Sequence, residues 1–113
     1  MIRLSVRCFR YTFAALAAFV LLVAPLDAQN DAPSLYKAKC SACHGPDGKA
    51  STPMAKTLGA HDFASPDVQN QTDEQLIAIV TNGKNKMPAY KDKLTDDQIK
   101  GLVAYIRELG KKK

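Results

Sequence analysis

Cys40-Ser41-Ala42-Cys43-His44 is the stretch on which the reading of this chain turns. Two thiols at positions i and i+3 lie on one face of a helix. There they can add to two vinyl groups along one edge of a haem. His44, the next residue, then brings its imidazole beneath the ring to bind iron. The pentapeptide is the signature of covalent haem attachment. Two rival readings are weaker. A Cys-x-x-Cys dithiol site belongs with a βαβ pattern, and this chain has none. Structural zinc needs four ligands. Cys40, Cys43, His44 and His61 reach that number, but adjacent Cys43 and His44 suit one tetrahedron badly.

On the N-terminal side of the motif, a helix is expected over 32–43. Asp31 can cap it, Pro33 suits its first turn, and Leu35, Tyr36 and the stem of Lys39 share a side. Further back, Arg3, Arg7 and Arg10 precede an apolar run over 13–23 and then Leu26-Asp27-Ala28. That order of basic, apolar and small residues reads as a secretory signal over 1–28. Of the 113 residues, 29–113 then form the mature chain, enough for a single domain. The expected location is periplasmic, or otherwise exported. Cys8 leaves with the leader. Exported cysteines usually pair, yet a Cys40–Cys43 bridge would close too small a loop to staple a fold.

Beyond the motif, residues 45–71 are rich in Gly, Pro, Ser, Asp and Asn. They read as loops with one short helical turn near 54–58. So long an irregular stretch implies that something packs against it. Thr72-Asp73-Glu74-Gln75 has the form of a capping box, with Leu76, Ile79 and Val80 following at helical spacing. Gly83 is a natural stop. The device recurs at Thr95-Asp96-Asp97-Gln98, ahead of a stripe of Ile99, Leu102, Val103, Ile106 and Leu109. Gly110 is expected to end that helix. Pro88 keeps the intervening loop from continuing as helix. With no alternating strand pattern, the expected class is all-α. The main helices are three, at about 32–43, 72–82 and 95–109, with loops around one covalent haem.

Charge narrows the partners. Of the 16 Lys+Arg and 11 Asp+Glu, Arg3, Arg7, Arg10 and Asp27 fall in the leader, leaving a net charge of about +3. The lysines at 111–113 match that excess, so no nucleic-acid surface is indicated. No second apolar run is long enough to span a bilayer, so no stable membrane insertion is expected after cleavage.

An iron with one axial His leaves a sixth position to fill. Met54, His61 and Met87 are the candidates. Met87 fits best, in a loop held by Pro88 between two helices, with ample chain to reach the far face. Met54 could be an apolar filler. His61 could ligate and would lower the potential relative to a His/Met pair.

Three segments together resemble the class I cytochromes c, of the small, single-haem bacterial kind. They are Cys40-Ser41-Ala42-Cys43-His44-Gly45, Asn82-Gly83-Lys84-Asn85-Lys86-Met87-Pro88-Ala89-Tyr90, and Leu102-Val103-Ala104-Tyr105-Ile106. The resemblance implies one covalent haem c, with Cys40 and Cys43 as thioether sites. It implies His44 and Met87 as the iron ligands. It also implies that the first and last helices cross, with Tyr36 against Tyr105 and small Ala32 at the contact. A proline carbonyl usually accepts the other ring N–H of the proximal histidine. Pro53 is the counterpart here, its alternative reading being an ordinary loop proline. Leu58, Phe63, Leu76 and Leu94 are expected to line the pocket. Tyr90 either bonds a propionate or lies at the surface.

The implied function is one-electron transfer in a periplasmic chain. The alternative is a haem c subunit of a larger dehydrogenase or oxidase complex. Met87 on the iron would block oxygen and peroxide chemistry, which argues against an enzyme. Lys84, Lys86, Lys91 and Lys93 surround the Met87 loop, with Asp92 the sole acid over 84–94. They could steer redox partners with acidic docking surfaces to a monomeric carrier, or be merely solvated.

Overall fold

The computed structural model describes residues 31–112; the expected leader and its cleavage point lie outside them. Among the described residues all regular structure is helical. The order is α1 (Ala32–Lys39), α2 (Ser41–His44), α3 (Pro53–Leu58), α4 (Pro66–Gln69), α5 (Asp73–Asn82) and α6 (Asp96–Lys111).

Local chemistry starts each main helix. The Asp31 carboxylate accepts the Ser34 amide at the head of α1, where Pro33 sits in the first turn. Both anticipated capping boxes form. Thr72 and Gln75 exchange bonds at the start of α5, and Thr95 and Gln98 do so at the start of α6. The α6 stripe of Ile99, Leu102, Val103, Ile106 and Leu109 is buried throughout. Each such side chain contributes about 1.5–3 kcal/mol relative to exposure.

α1 crosses α6 as the resemblance implied. A Cβ added at Gly101 would sit 3.8 Å from the Ala32 Cβ, so two small residues face each other there. Tyr36 meets Tyr105 edge-on, with ring centroids 5.4 Å apart. Tyr36 is 2% exposed and belongs to the central apolar cluster.

Three differences from the sequence reading matter. The first helix is not continuous over 32–43. It breaks at Cys40, whose φ of −118° departs from helical values. The 45–71 stretch holds α4 as well as the expected turn at α3, with Pro66 in the first turn after Ser65. Finally, Gly110 does not end α6, which runs on to Lys111. A Cβ at Gly110 would collide with the Gln69 side chain and lie 2.7 Å from the Phe63 carbonyl oxygen. The glycine is there for close packing, not for a left-handed cap.

Arg107 joins the two halves of the molecule. It donates to the Asp73 carboxylate at 2.9 Å and to the carbonyls of Val68, Gln69 and Gln71. One guanidinium on α6 thereby fixes the α4–α5 connection.

Candidate functional site

A cavity of about 330 Å³ opens between α2, the 58–63 loop, α5, the 84–90 loop and α6. Cys40, Cys43, His44, His61 and Met87 all line it. Met54 does not; it is 54% exposed on α3. Leu58, Phe63 and Leu76 are on the wall as expected, with Ile79, Val80, Leu102 and Ile106. Leu94 is buried in the core and is not one of the lining residues.

The attachment segment is braced from both sides. The Tyr36 hydroxyl donates to the Gly45 carbonyl at 2.6 Å, just after His44. Burial, above all, holds this phenol protonated well beyond the ordinary tyrosine range, so it stays a donor. The Tyr90 hydroxyl donates to the Lys39 carbonyl at 3.0 Å, just before Cys40. Sequence reasoning left Tyr90 undecided. Its acceptor lies 51 positions away, and no local signal announces it.

His44 is set by burial and by its neighbours. Its ring stacks on Phe63, with centroids 4.8 Å apart and planes 29° apart. Burial is the main cause of a lowered pKa, partly opposed by the nearby backbone of His61. A ring kept neutral keeps a lone pair free for a metal. Nδ1 is buried and has no hydrogen-bond partner. The bond expected from His44 to Pro53 is therefore not made here. Pro53 sits exposed in the first turn of α3, outside the cavity wall, and its carbonyl accepts the Thr57 hydroxyl at 3.0 Å.

Met87 comes from a tight turn. Lys84 and Met87 exchange backbone bonds of 3.2 and 2.9 Å around Asn85, whose φ is +54°. Gly83 allows the turn to form. Its φ is +76°, and a Cβ there would lie 2.6 Å from the Met87 carbonyl oxygen. The Tyr90 and Lys91 amides then bond the Val80 and Thr81 carbonyls, folding the loop back onto α5. On its outer side Lys86 donates to the Thr57 carbonyl at 3.2 Å.

His61 is placed differently. Its backbone acts on the His44 ring, while its imidazole is 62% exposed and 3.8 Å from Asp67. It belongs to the same side of the cavity as His44.

These residues fit a haem. Two thiols and a neutral imidazole, with a buried nitrogen lacking a partner, stand beside a thioether in a chamber with largely apolar walls. A zinc reading finds no support: among the described residues no group of three or more His, Cys, Asp or Glu is placed to hold a metal ion.

The chain matches the family model described as "Cytochrome C oxidase, cbb3-type, subunit III" over residues 27–106. Cytochrome c6 from Leptolyngbya boryana is 37% identical over 69% of this chain and 88% of its own length. For cytochrome c6 from Nostoc sp. the figures are 36% identity, 98% of this chain and 89% of that one. The solved structure of the KustC0563 c-type cytochrome superposes with a TM-score of 0.65 at 36% identity. It covers 70% of this chain and 96% of that one. With the attachment motif, the helical fold and the chamber beside them, the chain belongs to the monohaem class I c-type cytochromes, and its cofactor is a covalently bound haem c.

Proposed function

We propose that this protein is a one-electron carrier of a periplasmic electron-transfer chain. The observation that carries the reading is the convergence of Cys40, Cys43, His44 and Met87 on one largely apolar chamber. When bound, the haem supplies a reversible one-electron change at its iron. The protein's own residues set the conditions for it. Cys40 and Cys43 would hold the group by thioethers, and His44, kept neutral by burial, would offer a ring nitrogen to its iron. Its Nδ1 proton would need an acceptor, the role proposed for the Pro53 carbonyl, which here accepts the Thr57 hydroxyl instead.

Met87 is the proposed second axial ligand. Exposure of Met54 and the location of His61 beside His44 favour it over both rivals. A thioether favours the reduced state and raises the potential. By filling the sixth position it leaves no open site for oxygen or peroxide, so the reading is of a carrier rather than an enzyme.

Lys39, Lys84 and Lys86 rim the chamber, and Lys91 and Lys93 stand exposed beside it. This positive margin suits transient docking of an acidic redox partner by a monomeric carrier. Among the described residues no helix is long and apolar enough to cross a membrane. Export by the 1–28 leader and its removal complete the proposal.

A second reading has one observation in its favour. The cbb3-type oxidase subunit CcoP of Azospirillum brasilense is 32% identical over 79 residues, and the match spans 27% of that protein. A haem module docked in a larger oxidase would co-purify with a stable partner, whereas a free carrier would not.

The test is the optical spectrum of protein exported from a host able to attach haem, taken after acid solvent has stripped loose haem. The expected result is retained haem with the weak far-red band of sulfur-ligated ferric iron. Retained haem without that band would overturn the Met87 assignment. No retained haem would overturn the whole reading.

A further inference from the structure

The break between α1 and α2 leaves over a carbonyl that a continuous helix would have paired. The Cys43 amide turns to the Cys40 carbonyl at 3.2 Å, and the His44 amide bonds the same oxygen at 3.0 Å. The Lys39 carbonyl, four residues before Cys43, must find another donor. The Tyr90 hydroxyl is that donor, at 3.0 Å. Tyr90 follows Met87 by three residues in the same loop and, like Met87 and Cys40, is half-buried against the core. The backbone bonds of the loop tie it to itself and to α5. The Tyr90 hydroxyl ties it instead to the segment that carries Cys40 and His44.

We propose that Tyr90 is a positioning residue for the distal ligand. Its hydroxyl, held on the Lys39 carbonyl, keeps the Met87 loop in register with the attachment segment and so sets how readily Met87 leaves the iron. This rests on Met87 being the ligand. Losing the bond loosens the sulfur without removing it. One hydrogen bond of this kind shifts a local equilibrium by about fivefold.

The experiment uses the haem-loaded protein and reads cyanide binding to oxidised iron together with the far-red band. Wild type, Tyr90→Phe, Met87→Ala and the double variant are compared. Tyr90→Phe is expected to keep its haem, weaken the band and bind cyanide about fivefold faster. In the Met87→Ala background the same change is expected to make no difference. A Tyr90→Phe rate equal to wild type overturns the proposal. So does equal acceleration in both backgrounds, because Tyr90 would then govern access to the chamber and not Met87. If Met87→Ala alone leaves cyanide binding unchanged, the ligand assignment itself falls, and that failure is visible without any change at Tyr90. Should Tyr90→Phe not accumulate, 3-fluorotyrosine at position 90, a stronger donor, is expected to slow cyanide binding. An unchanged or faster rate overturns the proposal.

Discussion

Phe63 lies stacked on His44, its ring centroid 4.8 Å from that of the imidazole, and meets Tyr36 edge-on at 6.1 Å. One buried ring thus links His44, the proposed iron ligand, to the α1–α6 crossing. Phe63→Ala is expected to cost about 3–5 kcal/mol, from lost burial and the cavity left behind. Phe63→Leu keeps most of the volume and is expected to cost about 0.5–1.5 kcal/mol, the worth of the aromatic contacts. Guanidinium unfolding of the haem-loaded variants measures both. A Phe63→Leu cost near zero would mean that the aromatic contacts, the stack with His44 included, contribute nothing of their own.

Gly83 should not accept a side chain. Its φ of +76° and the Met87 carbonyl oxygen, 2.6 Å from an added Cβ, both oppose one. Gly83→Ala is expected to lose about 1–3 kcal/mol and to displace the Met87 turn. The readout is a weakened far-red band with haem still attached. An unchanged band would show that the loop absorbs the methyl group without moving its sulfur.

Arg107 and Asp73 should prove unequal partners. Asp73 is 63% exposed at its side chain, and such an ion pair is worth up to about 1 kcal/mol. Arg107 also serves three carbonyls, and its side chain is 19% exposed. Arg107→Met is therefore expected to cost about 2–4 kcal/mol and Asp73→Asn under about 1 kcal/mol. Thermal unfolding of the two variants side by side decides it; similar losses would reduce Arg107 to its ion pair.

The lysine margin predicts a salt effect. Exposed charges are screened within about 8 Å at physiological ionic strength. Electron transfer with an acidic partner is expected to slow about tenfold between low and physiological salt. Lys84→Glu, at the rim, is expected to slow it more than Lys112→Glu at the chain end. Stopped-flow kinetics at several salt concentrations provides the comparison, and a salt-independent rate would remove steering from the mechanism.

What could be read from sequence was what local chemistry decides. Thr72 with Gln75 and Thr95 with Gln98 form their boxes because every partner lies within four residues. The α6 stripe and the Gly83 stop were legible for the same reason. Gly110 misled, because a glycine near a helix end reads as a cap, while the Phe63 backbone that demands it lies far off in the chain. The break at Cys40 was hidden because the thiol spacing suits a continuous helix equally well. Ser65-Pro66 carried a usable start signal for α4 that was lost among turn-forming residues. Of the site, Cys40, Cys43, His44 and Met87 do meet at one chamber. The hydroxyl bonds that brace it, from Tyr36 and Tyr90, are products of tertiary folding and left no mark in either local pattern.

The bond from Tyr90 ends on a main-chain oxygen, not on a side chain. Any residue at position 39 presents that oxygen equally well. The lysine side chain there, exposed at the chamber's rim, is thus free of the duty its backbone performs. Variation at this position can alter the charge shown to a partner while the brace behind it stays intact. Recognition and ligand geometry can then evolve separately at a single residue.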